Sequence, residues 1–246
     1  MIIRRPDAFT QRPSCVLLDF DNTLYDYASC NRAGMEAARG LAQSLLNVAA
    51  ADFDQCFADA RAELKARLGA TASSHSRLLY FQRTIERAGF ASQPFVVLQL
   101  EQAFWRAYLD AAALFPQALE FLDDLRIAGV PSVILTDQTA QIQMRKMILL
   151  GIDRAVDWIV TSEEVGKDKP SPLGFELALA KIGGVEGPVW FIGDDVDCDL
   201  AGARNTLGAV TLHKTAAGAP APTSDLVDGA FSDFADLRKL FAQTSV

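Results

Sequence analysis

Three observations predict an α/β fold: a Rossmann-like parallel sheet in a three-layer α/β/α core, carrying an inserted α-helical cap. Short apolar runs of strand length recur along the chain. From residue 116 onward these runs alternate with helical patterns. Between the first run and the second lies a long stretch with helical periodicity and no strand signal. Strand–helix alternation implies a parallel sheet covered on both faces, and an insertion at this point is expected to lie over the strand ends.

The first strand is expected in "CVLLDF" (15–20). The insertion then reads as four amphipathic helices. They cover 28–48, the segment "DFDQCFADARAELKARLG" beginning at Asp52, 76–89 and 95–112. In the second, Phe53, Phe57, Ala60, Leu64 and Leu68 fall at helical spacing. Asp52 and Gln55 match a capping box there, and Gly69 is a stop signal. In the fourth, Val97, Leu100, Phe104 and Tyr108 share a face, and Phe104 and Trp105 read as core of the insertion. Further strands are expected at "PSVILT" (131–136), "DWIVT" (157–161), "PVWFIG" (188–193) and "AVTLH" (209–213). Helices are expected at 116–128, 139–150, 172–183 and 197–206, and a small-residue loop at 214–225. The core domain is therefore assigned to residues 1–25 and 113–246, and the helical cap domain to 26–112.

Composition narrows the function classes. With 246 residues, half of them hydrophobic and 22% charged, the chain can bury a sizeable core. A net charge of −8 and a pI near 4.8 argue against partners such as nucleic acid or an anionic membrane. An anionic ligand would need a local cation, either a metal or a placed lysine. Cys15, Cys30, Cys56 and Cys198 are scattered without histidines at ligand spacing, which points to free thiols and away from zinc. Cys30 and Cys198 are read as small buried apolar residues. No apolar stretch reaches membrane-spanning length and no leader pattern opens the chain, so a cytoplasmic protein is expected.

In open parallel sheets, ligands bind beyond the carboxyl ends of the strands, so the residues just past each strand matter most. The first strand delivers Asp19, Asp21 and Thr23, and the second delivers Thr136 and Asp137. After the third come Lys167 and Lys169 in "GKDKPSP"; after the fourth come Asp194, Asp195, Asp197 and Asp199 in "GDDVDCD". Asp19 and Asp194 offer hard oxygens suited to magnesium. A carboxylate at such a metal can attack phosphorus and split ester hydrolysis into two displacements. Asp21, two residues on in extended chain, stands beside Asp19 as a candidate general acid and base. A lysine and a threonine hydroxyl would hold the phosphoryl oxygens. Asn22 and Thr23 make the turn between the two acids, and Asp26 reads as part of the linker into the insertion.

Together these residues resemble the haloacid dehalogenase-like (HAD) hydrolases, in the branch with a helical cap inserted after the first motif. "DFDNT" matches the first motif as Asp19, Asp21 and Thr23, and "ILTDQ" the second through Thr136. "KPSPLGF" matches the third through Lys169, and "GDDVDCD" the fourth through Asp194 and Asp199. The resemblance runs from about residue 14 to 213. It implies Asp19 as nucleophile and metal ligand, and Asp21 as acid/base that also gives the metal its backbone carbonyl. It implies Thr136 with the Asp137 backbone N–H as phosphate clamp, Lys169 as charge neutraliser, Asp194 as a further metal ligand and Asp199 as acting on the metal shell. Thr23 and Asp137, with His75 and Arg77 from the insertion, are the candidate substrate contacts. Lys167 competes with Lys169 for the third motif, and Asp195 adds a charge beside Asp194.

The resulting expectation is a Mg-dependent phosphomonoester phosphatase working through an aspartyl-phosphate on a small phosphorylated metabolite such as a nucleotide, flavin mononucleotide or sugar phosphate. A phosphomutase or a dehalogenase of the same fold is the alternative within enzymes. Dehalogenase members lack the second aspartate of the first motif, which this chain keeps as Asp21. A non-enzymatic HAD-like binding protein is the alternative outside enzymes, and it would normally show a broken motif. Neither the physiological substrate nor the oligomeric state is legible in the sequence.

Overall fold

The computed structural model describes residues 1–245, which fall into two compact units. Met1–Asp26 and the chain from Ala113 form an α/β unit; Tyr27–Ala112 form a helical unit. Asp26 thus belongs with the α/β unit.

Seven strands make one sheet: β1 (Ile2–Ile3), β2 (Cys15–Leu18), β3 (Ser132–Thr136), β4 (Trp158–Thr161), β5 (Val189–Gly193), β6 (Val210–Lys214) and β7 (Gly229–Phe231). Their order is β1-β7-β6-β5-β2-β3-β4, and every pairing is parallel except that of β1 with β7. β2, β3 and β5 are buried along their whole lengths, as expected for strands with both faces covered. Alternate residues serve alternate faces. Leu17, Val133, Leu135 and Phe191 join Phe175 in one cluster, whereas Trp190 meets Phe9 and Phe241 in edge-on ring contacts.

The helices of this unit are α5 (Ala118–Ile127), α6 (Ala140–Leu149), the single turn α7 (Ser162–Val165), α8 (Pro172–Ile182), α9 (Ala201–Leu207) and α10 (Phe234–Gln243). A π-type turn at Val196–Leu200 leads into α9. β1, β7 and α10 were not visible in the sequence pattern. Strands of two and three residues are too short to show a period, and β1 adds an antiparallel edge to a sheet expected to be wholly parallel. A buried carboxylate holds this edge instead. Asp228 is paired with both Arg5 and Arg204, accepts the Thr211 backbone N–H at 2.8 Å, and gives its own carbonyl to the N–H groups of Arg4 and Arg5.

The helical unit comprises α1 (Tyr27–Leu46), α2 (Ala50–Leu68), α3 (Arg77–Arg87) and α4 (Pro94–Asp110). Its core is aromatic: Phe53, Phe57, Tyr80, Phe81, Phe104, Trp105 and Tyr108 form a continuous chain of ring contacts. Gly69, at φ 64°, ends α2, and the Ser76 hydroxyl caps α3 by accepting from the Leu79 N–H at 3.3 Å. The Asp52 capping box does not form. α2 starts three residues earlier, with Ala49 at the cap position, which leaves Asp52 inside the first turn, where its charge suits the helix dipole.

α1 and α4 approach closely because position 34 is glycine. A Cβ there would stand 2.7 Å from the Phe104 ring and 2.9 Å from the Phe104 carbonyl oxygen. Gly40, on the same helix, has nothing within 4 Å of the equivalent point. Gly34→Ala is therefore expected to destabilise the protein by about 1–3 kcal/mol through overpacking. Gly40→Ala is expected to stabilise it by roughly 0.5–1 kcal/mol through helix propensity. Urea unfolding of the two variants checks the pair, and equal effects would contradict the packing argument.

Candidate active site

Sheet register brings the strand ends together. Leu18 of β2 pairs with Ile134 of β3 on one side and with Ile192 of β5 on the other. The chain then leaves β2 as Asp19, β3 as Thr136 and β5 as Asp194, all at one end of the sheet. From β2 the chain winds outward to β3 and β4, and from β5 it winds the other way to β6 and β7. The strand order thus reverses between β2 and β5, which is where open α/β sheets form their crevices.

Asp19 is only 6% exposed and both its oxygens are engaged. Oδ1 accepts from Lys169 Nζ at 2.5 Å and Oδ2 from the Thr23 hydroxyl at 3.0 Å. The same ammonium lies 2.7 Å from Asp199 Oδ1 and donates to the Leu135 carbonyl at 3.1 Å. Lys169 is thus a buried bridge between two carboxylates, whereas Lys167 is exposed. Asp137 reaches across with Oδ1 to accept the Lys169 backbone N–H at 2.9 Å, so its side chain positions that lysine's backbone.

The turn after β2 depends on Asn22, whose φ of 64° is a left-handed conformation that asparagine tolerates. Its side chain favours the ionised form of Asp194. Asp195 points elsewhere: its carboxylate caps the π-type turn by accepting the N–H groups of Asp197 at 2.9 Å and Cys198 at 2.8 Å. That turn swings Asp199 back against the end of β5, where Asp199 Oδ2 accepts the Asp195 N–H at 3.2 Å. Only glycine permits this at position 193, because a Cβ there would lie 2.4 Å from Asp199 Oδ2. Cys198, expected to be buried, is in fact partly exposed on this turn, while Cys30 is buried.

Asp21 has three donors around its carboxylate. Lys146 Nζ lies 2.7 Å away, Gln143 Nε2 lies 3.4 Å away, and the Tyr25 hydroxyl also donates to it. Gln143 and Lys146 are buried one turn apart on α6. A carboxylate only accepts, so the Gln143 amide nitrogen faces Asp21, and it also donates to the Thr136 hydroxyl at 2.5 Å. The Thr136 oxygen thereby receives one hydrogen and keeps its own to donate. Neither Gln143 nor Lys146 was singled out from the sequence. The available signal was a lysine between Ile142 and Met147 on the apolar face of a helix.

The residues expected to contact substrate from the insertion are placed within the helical unit. Arg77 is 7% exposed; it donates to the Tyr27 hydroxyl at 2.5 Å and to the His75 carbonyl at 3.1 Å, with Phe104 and Tyr80 under its guanidinium. Its charge is engaged in that unit's own packing. His75 is partly exposed at the turn before α3. Thr23 is fully buried, with its hydroxyl directed at Asp19.

Burial dominates the electrostatics. It pushes the Asp19 carboxyl up to about 7, with Lys169 opposing and Asp199 reinforcing the shift. Burial and the nearby Asp19 charge push Asp194 up to about 6. Asp199 is raised by burial as well, against the pull of Lys169. Burial would also raise Asp21, but the Lys146 ammonium and the hydrogen bonds from Lys146, Tyr25 and Gln143 overcome it and hold that carboxyl below its ordinary value. For Lys169, burial disfavours the charge, and Asp19, Asp199 and Asp137 more than restore it.

Asp19, Asp194 and Asp199 each offer a carboxylate oxygen within 4.8 Å of the others. When all three are ionised, the carboxylates exceed the one ammonium by two negative charges, and all the donors are hard oxygens. The donor set fits a divalent cation such as magnesium.

Comparison with known proteins agrees with this architecture. A family profile described as haloacid dehalogenase-like hydrolase matches residues 13–205. A ribulose-1,5-bisphosphate 5-phosphatase from Halopiger xanaduensis is 41% identical over 204 residues, covering 81% of this chain and 83% of that protein. A glyceraldehyde 3-phosphate phosphatase from Methanopyrus kandleri is 29% identical over 198 residues, covering 80% and 82%. Among solved structures, the Bacillus subtilis HAD-hydrolase YfnB, bound to magnesium, superposes with a TM-score of 0.70 at 18% identity. That match covers 94% of this chain and 99% of the other, and it speaks for the fold. No described helix is long and apolar enough to cross a membrane.

Removing the bridging ammonium should reveal what it holds together. In Lys169→Met, Asp19 and Asp199 remain buried without a counter-charge, at an expected cost of about 3–5 kcal/mol near pH 8. The folded state then binds protons more tightly than the unfolded chain, so stability falls as pH rises and returns as it drops. Between pH 8 and pH 5 the deficit relative to wild type should shrink as the two carboxyls protonate. Denaturant titrations at both pH values, without added metal, measure it. A deficit independent of pH would contradict the assignment.

Proposed function

The chain belongs to the haloacid dehalogenase-like hydrolases, and from that premise we propose that it is a magnesium-dependent phosphatase of a small phosphorylated sugar, acting through an aspartyl-phosphate on Asp19. The observation that carries this reading is the pairing of two differently equipped aspartates on one turn. Asp19 sits against Lys169 among metal-suited carboxylates, while Asp21, two residues on, sits against Lys146, Gln143 and Tyr25. In this reading one group takes phosphorus and the other handles a proton. A relative that is a ribulose-1,5-bisphosphate 5-phosphatase favours a sugar phosphate over a nucleotide or flavin mononucleotide.

In this reading the Asp19 carboxylate attacks phosphorus and the P–O bond to the leaving alcohol breaks. Asp21 delivers its proton to the departing oxygen, and its carboxylate then takes a proton from the water that cleaves the acyl phosphate. The three donors around Asp21 suit that second half, in which an ionised carboxylate must accept a proton. An anionic phosphoryl group beside it raises its proton affinity for the first half. The Thr136 hydroxyl and the N–H of Asp137 hold phosphoryl oxygens, and Lys169 balances the charge that moves between nucleophile and phosphorus. Asp19, Asp194 and the backbone carbonyl of Asp21 would hold the magnesium ion, with Asp199 acting on its shell. When bound, the ion neutralises phosphate charge and keeps Asp19 ionised against the burial that raises it. Dehalogenation would have no use for Asp21 or its donors, because no alcohol then needs a proton.

Asp19→Asn is expected to abolish turnover of a generic aryl phosphate, and EDTA should do so reversibly in the wild type. Phosphate release at the wild-type rate by Asp19→Asn would remove Asp19 from the nucleophile's role. Lys146 distinguishes the proton-handling step. Lys146→Met leaves Asp21 without its charged donor, and kcat for alkyl phosphates should fall on the order of a hundredfold. Aryl phosphates with acidic leaving groups, which need little protonation, should lose much less. A uniform loss across leaving groups would contradict a role for Lys146 in orienting Asp21.

A further inference from the structure

Three buried lysines lie near the carboxyl ends of the strands, and two of them are committed to carboxylates. Lys169 meets Asp19 and Asp199 at 2.5 and 2.7 Å, and Lys146 meets Asp21 at 2.7 Å. Lys214, the last residue of β6, is different. It is 6% exposed, yet its ammonium forms no ion pair among the described residues. Nζ donates to the Thr215 carbonyl at 3.1 Å and lies 4.2 Å from the centre of the Phe115 ring, which offers its π face to the charge. Burial disfavours the charged form, and Asp194 and Asp233 offset this only in part. A buried ammonium with one carbonyl and one ring for company lacks a partner that an anion would supply.

Its surroundings have room for one. Lys214 and Phe115 line a cleft of about 680 Å³ in the α/β unit, together with Asn22, Asp194, His213 and Ser232. His213 pairs in register with Gly193, so Lys214 leaves β6 at the level where Asp194 leaves β5. Adjacent strands lie about 4.8 Å apart. His213 Nε2 bonds the Asp194 backbone carbonyl at 3.0 Å and ties the two strand ends, while its Nδ1 is buried with no protein partner. The cleft is therefore lined by Asp26, by a carboxylate of the proposed metal site and by a cation that forms no ion pair among the described residues.

We propose that Lys214 binds a second anionic group of the substrate, so that the site selects small metabolites carrying a phosphate at the reacting end and a phosphate or carboxylate at the other. This rests on the phosphatase reading above. Lys214 touches the non-reacting end and takes no part in the proton or phosphoryl transfers. The strongly acidic chain supplies no general attraction for such a ligand, so the selection falls to this one placed charge.

Steady-state kinetics of the full chain with magnesium test it. The substrates are an aryl phosphate, a sugar monophosphate, the bisphosphate of the same sugar, and a phosphorylated sugar acid of equal length. The wild type should prefer the two doubly anionic substrates. Lys214→Met should raise KM for them at least tenfold more than for the aryl phosphate or the monophosphate, with KM moving more than kcat. Lys214→Arg should recover part of the preference, which a folding defect would not. Loss confined to the bisphosphate assigns the site to phosphate, and loss shared with the sugar acid assigns it to any anion. Calorimetric binding of the bisphosphate gives an answer independent of turnover: an undiminished affinity in Lys214→Met, or a wild type that favours monophosphates, overturns the subsite. Absence of wild-type turnover on every ester, with tight binding still dependent on Lys214, would overturn the phosphatase reading and leave the subsite standing.

Discussion

The ammonium of Lys169, held between Asp19 and Asp199, is the interaction on which the site depends. Three carboxylates share a space smaller than 5 Å at the closed end of a crevice, where burial alone raises each of their proton affinities. One fixed cation keeps that arrangement foldable and still leaves a net negative charge for a metal. Much of the local backbone serves it. Asp137 holds the lysine's backbone, Gly193 clears the space Asp199 needs, and Asp195 shapes the turn that brings Asp199 back.

Asp21 illustrates the opposite use of a buried lysine. Two aspartates separated by one residue would ordinarily feel similar fields, yet one is pushed up to about 7 and the other is held below its ordinary value. The difference lies in what each meets. Asp19 faces other carboxylates besides its lysine, whereas the hydrogen bonds to the Asp21 carboxylate come from α6 and from Tyr25. Opposed environments for neighbouring titratable groups are what a two-step transfer asks for, with one group reacting at phosphorus and the other exchanging a proton.

Several features could be read without coordinates because they are local. Fully apolar strands ending in Asp, Thr or Gly mark themselves, and Asp19, Thr136 and Asp194 each follow such a run. Amphipathic spacing marks α2 and α4 equally well. Where the reading went astray, the cause was again local competition: the Asp52 capping pattern was present, but the helix simply began earlier at Ala50. β1 and β7 carry too few residues to display any alternation, and their place at the sheet edge follows from Asp228 and its two arginines.

By itself the sequence determined the kind of fold and which residues stand at the strand ends, because hydrophobic period and chain order are properties of short segments. It could not determine which lysine meets which carboxylate. Lys146 lies 125 positions from Asp21 and Lys169 lies 150 from Asp19, and such pairs exist only once the register of β2 with β3 and β5 is set. The same holds for Arg77, whose charge looked available in the sequence and is enclosed by Tyr27 and Phe104 in the folded helical unit. It holds too for Lys214, an ordinary residue in a strand until burial strips it of water and leaves it beside an open cleft. Charge is written in the sequence, but solvation and partners are decided only by tertiary packing.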